Sequence, residues 1–130
     1  MKKLIILSIF TVLCSCLPID KRFPIWIINT SGYNIYCHVS KNYPDTLLPV
    51  SSLNVIIIKN GEKKPIDSNE PWEETFSAQF PSDTLLIYYF NADTFNKYSW
   101  EDIRAKHKIF RKNLYSKQDL RNFNWVINYP

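Results

Sequence analysis

From Phe23 onward the apolar positions fall into short runs separated by turn-forming clusters. Phe23 to Ile28 is apolar and β-branched, Asn29-Thr30-Ser31-Gly32 is a turn cluster, and Tyr33 to Ser40 alternates with a period of two. Two such runs around a short polar loop predict a β-hairpin. In the second run Ile35, Cys37 and Val39 share one face and Asn34, Tyr36 and His38 the other, because successive strand side chains point to opposite sides. Lys41 to Ser52, with Tyr43-Pro44-Asp45-Thr46 and Pro49, reads as an ordered loop. Asn54 to Ile58 is a β-branched run, and Asn60-Gly61 is a strong turn signal. The segment behind it, Glu62-Lys63-Lys64-Pro65, is a poor strand, being polar and carrying a proline that cannot pair centrally.

Further on, Pro71 suits the first position of a short helix with Trp72 and Phe76 on one side, and Pro81-Ser82-Asp83 is a break. Leu85 to Phe90 is apolar on both alternations, as a central strand covered on both faces requires. Ser99 followed by Asp102 resembles a capping box opening a helix, with Trp100 and Ile103 turned inward. Ile109 to Tyr115 reads as a strand with interleaved basic residues. Ser116 and Asp119 repeat the cap ahead of a short helix carrying Leu120 and Phe123, and Trp125 to Tyr129 is a closing strand. The predicted fold class is α+β, an antiparallel or mixed β-sheet with two or three short helices; a decorated β-sandwich is the alternative. No internal repeat or long linker divides residues 23–130, so one globular domain is expected there.

The first residues follow a different pattern. Lys2 and Lys3 precede an uncharged run from Leu4 to Leu13, then Cys14, Ser15 and Cys16. A positive start and an apolar run near ten residues match a secretory signal and are too short for a bilayer-spanning helix. Leu13-Cys14-Ser15-Cys16 resembles a lipobox: an aliphatic residue, two small ones, then the cysteine to be acylated. Cys16 fits better than Cys14, because three residues before Cys14 stands Thr11, which is not aliphatic. The expected organisation is a signal peptide over 1–15, a tether over 16–22 with Pro18, and the domain. Acyl chains of the palmitate kind on Cys16 would give stable anchoring, at about 0.8 kcal/mol per buried CH₂.

Processing changes the composition. The whole chain carries 16 Lys+Arg against 12 Asp+Glu, a net charge of +4, and loses two lysines with the signal, leaving +2. Cys37 is then the one free thiol, expected to be buried and inert among aliphatic neighbours. Two glycines in 130 residues leave no nucleotide-binding loop, and three cysteines make no disulfide scaffold. Abundant aromatic and β-branched residues exclude a disordered chain.

Charge is uneven along the domain. Lys97 to Arg121 holds eight basic residues against Glu101, Asp102 and Asp119. Within it Arg104, Lys106, Lys108, Arg111 and Lys112 form a candidate contact surface for anionic head groups or an acidic partner. The competing reading is a solvated helix and an edge strand whose cations oppose aggregation. Trp26, Trp72, Trp100 and Trp125 invite a carbohydrate-platform reading, but each sits where the periodicity assigns it to a core. His38 and His107 are isolated, no residues have metal-ligand spacing, and Glu73-Glu74 point apart on a helix. No nucleophile motif is present, and no cofactor is implied.

Asn29 to Pro49, with its Ile35-Tyr36 strand and Tyr43-Pro44-Asp45-Thr46 loop, resembles small uncharacterised lipoproteins of Bacteroidota gut bacteria. So do Asn91-Ala92-Asp93-Thr94, Tyr98-Ser99-Trp100-Glu101-Asp102-Ile103, and the ending from Leu114 through Asp119-Leu120 to Trp125-Val126-Ile127-Asn128-Tyr129-Pro130. The resemblance implies a cell-envelope lipoprotein and carries over no functional residue. The expected function is therefore a lipid-anchored binding or interaction module, with the membrane as one partner through Cys16 and an envelope protein or glycan as another. An immunity-type or accessory lipoprotein is the alternative, an enzyme the least favoured class, and nucleic acid is disfavoured by export. The outer membrane is the expected destination. Its face is open, because Leu17 to Phe23 lacks an acidic cluster after the cysteine.

Overall fold

A computed structural model describes residues 24–51, 54–106 and 111–130. The expected signal peptide, Cys16 and the tether lie outside the described residues, as does Lys108. The described chain forms an α+β fold of seven strands and four short helices. In order these are β1 (Ile25–Asn29), β2 (Ile35–Ser40), β3 (Ile56–Ile58), β4 (Lys63–Ile66), α1 (Trp72–Gln79) and β5 (Thr84–Asn91). Then follow α2 (Ala92–Lys97), α3 (Trp100–Ala105), β6 (Arg111–Ser116), α4 (Lys117–Asn122) and β7 (Val126–Tyr129). Two sheets result, one ordered β4-β1-β7 and the other β3-β2-β5-β6. Only β1 and β7 run parallel; every other pair is antiparallel.

The expected hairpin between β1 and β2 does not form, since the two strands belong to different sheets. Asn29 explains the divergence. Fully buried, it donates from Nδ2 to the carbonyls of Tyr33 (2.8 Å) and Ile58 (3.0 Å) and accepts from the Ser31 backbone and hydroxyl. These bonds fold the turn cluster into a corner rather than a two-strand ladder. The chain crosses back at Asn60-Gly61, where Gly61 has φ +77° and donates to the Asn29 carbonyl. Asn60 is held from both sides, accepting from Gly32 N and donating its own N–H to Asn34 Oδ1, each at 3.0 Å. The two crossovers are thus stitched together by three asparagines, which satisfy backbone groups that no ladder reaches.

The polar segment behind Asn60-Gly61 does form a strand. In β4 Pro65 faces Trp26, and β4 is an edge of its sheet, which is where a strand proline is tolerated. There are four helices rather than two or three. The addition is α2, opened by Asn91, whose side chain accepts from Asp93 N and Thr94 N. Pro71 stands at the cap of α1 rather than inside it, with its carbonyl accepting from Glu74 N and Thr75 N. The other caps are as expected: Ser99 accepts from Asp102 N, and Ser116 with Asp119 completes a reciprocal capping box.

β5 lies centrally in the larger sheet, and Leu85 to Phe90 are all buried. Its alternate faces serve two cores. Leu85, Ile87 and Tyr89 join Ile35 and Cys37 of β2, Ile25 and Ile27 of β1, Ile127 and Tyr129 of β7, and the aromatic residues of α1. Leu86, Tyr88 and Phe90 turn the other way, to Leu48, Ile103 and the half-buried rings of Tyr36, Tyr43, Phe95, Tyr98 and Trp100. Every residue of both cores lies between Ile25 and Tyr129, so a chain starting at residue 17 keeps all of the described packing. No described helix is long and apolar enough to cross a membrane.

Candidate functional site

The second core is roofed incompletely, and that leaves an open concavity. An open groove of about 1120 Å³ runs between the end of β2, the loop 41–51, α3 and β6. The loop is fixed by bonds to surrounding elements. Ser82 Oγ donates to the Tyr43 carbonyl (2.9 Å), Trp100 Nε1 to Pro49 O (3.2 Å), and Arg104 Nε to Leu48 O (3.3 Å). Within it the Asp45 carboxylate accepts from Leu47 N at 2.9 Å, an Asx turn that tolerates no strand continuation. Leu48 is thereby driven into the second core, while Leu47 and Val50 point out at 72% and 79% exposure. Those are the two most exposed large apolar side chains among the described residues.

The groove wall is mixed in charge. His38, Lys41, Arg104 and Lys112 line it together with Asp45 and Glu101. His38 is half-buried, its Nδ1 lies 3.1 Å from the Asn54 carbonyl, and its ring stacks on Tyr88 at 6.1 Å. Burial holds its imidazole below the usual histidine value, against the opposing effect of that hydrogen bond. Tyr88 is buried with its hydroxyl unpartnered among the described residues, and burial together with the nearby Asp45 charge pushes its phenol above the usual tyrosine value. This arrangement presents apolar knobs, cations and carboxylates along one cleft. It suits recognition of a chain with alternating chemistry, and among the described residues no group of three His, Cys, Asp or Glu is placed to hold a metal ion.

The five basic residues singled out by the sequence go to different places. Arg104 and Lys112 meet at the groove. Lys106 pairs with Asp102 one turn away at 2.9 Å. Arg111 and Lys112 are neighbours on a strand and so face opposite sides: Arg111 lies over the Tyr129 ring at 5.6 Å. Further along the basic segment, Lys117 and Arg121 are drawn to Glu73 of α1, whose carboxyl the Arg121 guanidinium holds below the usual carboxylate range.

Cys37 is fully buried in the first core, where burial pushes its thiol up to about 12 despite the attraction of Lys64. A thiol held there is not a nucleophile at neutral pH. Beside it the Tyr89 and Tyr129 rings stack at 4.3 Å, with their hydroxyls facing Tyr115 and Tyr33. Three of the four tryptophans pack on the cores as expected; Trp26 does not, because β1 alternates and turns it to the face opposite the core residues Ile25 and Ile27. Trp72 is buried with Nε1 bonded to Ile66 O (3.0 Å), Trp125 packs on the first core, Trp100 on the second, and Trp26 lies under Lys63 at 4.9 Å.

Sequence reasoning missed the part played by Leu47, Val50 and Asp45. The available signal was the loop chemistry of Tyr43-Pro44-Asp45-Thr46 and Pro49, which marks order but not which apolar residue turns out. The fold and groove define an α+β domain with one sealed and one open side. A scan of protein-family models, a search of curated proteins and a search of solved structures each returned no match for the chain.

Proposed function

We propose that the chain is a cell-envelope lipoprotein, anchored through acylated Cys16, that serves as an interaction module rather than an enzyme. The anchoring half of the reading is supported by Lys2-Lys3, the uncharged run Leu4 to Leu13, and Leu13-Cys14-Ser15-Cys16, and agrees with the resemblance to Bacteroidota lipoproteins. The interaction half is carried by one observation: Leu47 and Val50 are held outward, on a loop bonded to Ser82 and to Trp100 and Arg104 of α3, at the mouth of the groove. Exposed apolar side chains on a rigid loop mark a contact site, because nothing in the fold itself gains from placing them there.

Two experiments address the halves separately. Cys16→Ser should abolish labelling by a palmitate analogue and release the protein from the membrane fraction; a labelled, membrane-bound mutant refutes anchoring. Leu47→Asp with Val50→Asp should leave the thermal midpoint within about 6 °C, since exposed substitutions change stability by roughly 0.5 kcal/mol or less each. It should nevertheless reduce the partners crosslinked to the lipoprotein in native membranes. An unchanged crosslinking pattern refutes the groove as the contact site.

A further inference from the structure

The wall of the groove is also the edge of a sheet. β6 is the last strand of the order β3-β2-β5-β6, and among the described residues no strand pairs with its outer side. An edge strand turns the N–H and C=O of every second residue outward, ready for another chain. The described residues form four such edges, and they are not equivalent. β3 has three residues and β7 four, while β4 is interrupted by Pro65. β6 is the longest, at six residues, without proline. Its groove-side positions are Lys112 and the half-exposed Leu114, and its opposite face carries Arg111 and Asn113.

We propose that β6 accepts an added β-strand from a partner protein, an extended acidic segment whose alternate side chains enter the groove. The proposal deepens the interaction-module reading by naming the partner's form and charge, and it rests on that reading only for where the partner is met. Three observations specify the occupant. Strand addition supplies backbone hydrogen bonds along β6, while side chains on one alternation fall beside Lys112 and Leu114, toward Arg104, Leu47 and Val50. Acidic residues on that alternation meet Lys112 and Arg104, and apolar ones cover Leu114. β6 carries two cations and no acid, and residues 97–121 hold eight basic against three acidic residues, so a second copy would bring like charge to the same edge. Cations on an edge thus oppose self-pairing and favour an acidic strand.

The test uses the ¹⁵N-labelled chain from residue 17, which carries all of the described packing, and a terminally blocked octapeptide in which Glu and Val take turns on one alternation and Thr fills the other. Its Lys and Val counterpart is the control. The Glu peptide should shift the amides of Arg111 to Tyr115, slow the hydrogen exchange of alternate ones, and weaken as salt rises. Lys112→Glu, at an exposed position, should weaken binding about fivefold, the range of one surface ion pair. Should that variant lose structure, the Lys peptide gives the same comparison on the unaltered protein, where it should bind far less. Four results overturn the proposal: no shift in β6, equal binding of both peptides, shifts that bypass β6, or self-association through β6 when no peptide is present. Binding of anionic vesicles that blocks the same amides while the Glu peptide leaves them unchanged also overturns it and assigns the surface to lipid. None of these outcomes depends on Cys16, so failure here leaves the anchoring test standing, and failure of anchoring leaves this one standing.

Discussion

The two faces of the larger sheet carry covers of different kind. One face is closed by the second sheet and by α1 and α4, so that Cys37, Tyr89 and Phe76 are essentially inaccessible. The other is closed by α2 and α3, six residues each, and by a loop. Strands and a longer helix present continuous apolar faces. A loop must satisfy its own backbone through side chains such as Asp45, Trp100 and Arg104, and cannot turn every apolar residue inward. The sealed face therefore concentrates the stabilising burial, and the loop-covered face keeps apolar side chains such as Leu47 and Val50 at the surface.

The largest effects should separate the two faces. Phe76→Ala removes a buried ring between Trp72, Phe80 and Trp125 and should cost about 3–5 kcal/mol. Leu48→Ala, on the loop side, should cost about 2 kcal/mol, the low end for a buried leucine, because a loop relaxes into the vacated space. Equal losses in denaturant titration would break the comparison. Asn29→Ala comes next. It strips the Ile58 and Tyr33 carbonyls of a donor where the sheets meet, and should cost about 2–3 kcal/mol.

A smaller effect concerns pH and the open face. His38 titrates below its unfolded value of 6.5 because burial disfavours its charged form. The unfolded chain therefore takes up the proton first. The associated stability is complete above pH 6.5 and is lost as pH falls through the lower folded value. Comparing denaturation midpoints from pH 7.5 to 5, His38→Gln should flatten this slope; an unchanged slope would place the sensitive group elsewhere. The smallest effect is expected for Glu73→Gln. Its carboxylate joins Lys117 and Arg121 across α1 and α4 in an exposed position, so at pH 7 the loss should stay below about 1 kcal/mol.

Much of the fold was legible in the sequence, and the failures share a cause. The double apolar alternation of Leu85 to Phe90, the serine caps at Ser99 and Ser116, and the inward Ile35-Cys37 face are local rules, and the structure follows them. Which strands pair is not local. Asn29-Thr30-Ser31-Gly32 satisfies the requirements of a hairpin turn, yet the bond from Asn29 to Ile58, 29 residues away, makes it a corner. The strand containing Pro65 forms because β4 lies at an edge, a property of sheet order. For the same reason the basic segment looked like one surface, although Arg111 and Lys112 diverge across the sheet and Arg121 is drawn to α1. Phe123, expected on the same short helix as Leu120, is instead its C-terminal cap and stands half-exposed, because α4 ends at Asn122 and the chain then turns.

The central claim is that the loop-covered face is the working face, and in-cell photo-crosslinking tests it most directly. A photoreactive residue at position 50 on the groove loop is compared with one at position 59, another exposed site, beside the stitched crossovers. The account predicts discrete adducts from position 50 and none from position 59. Adducts from position 59 alone would contradict it.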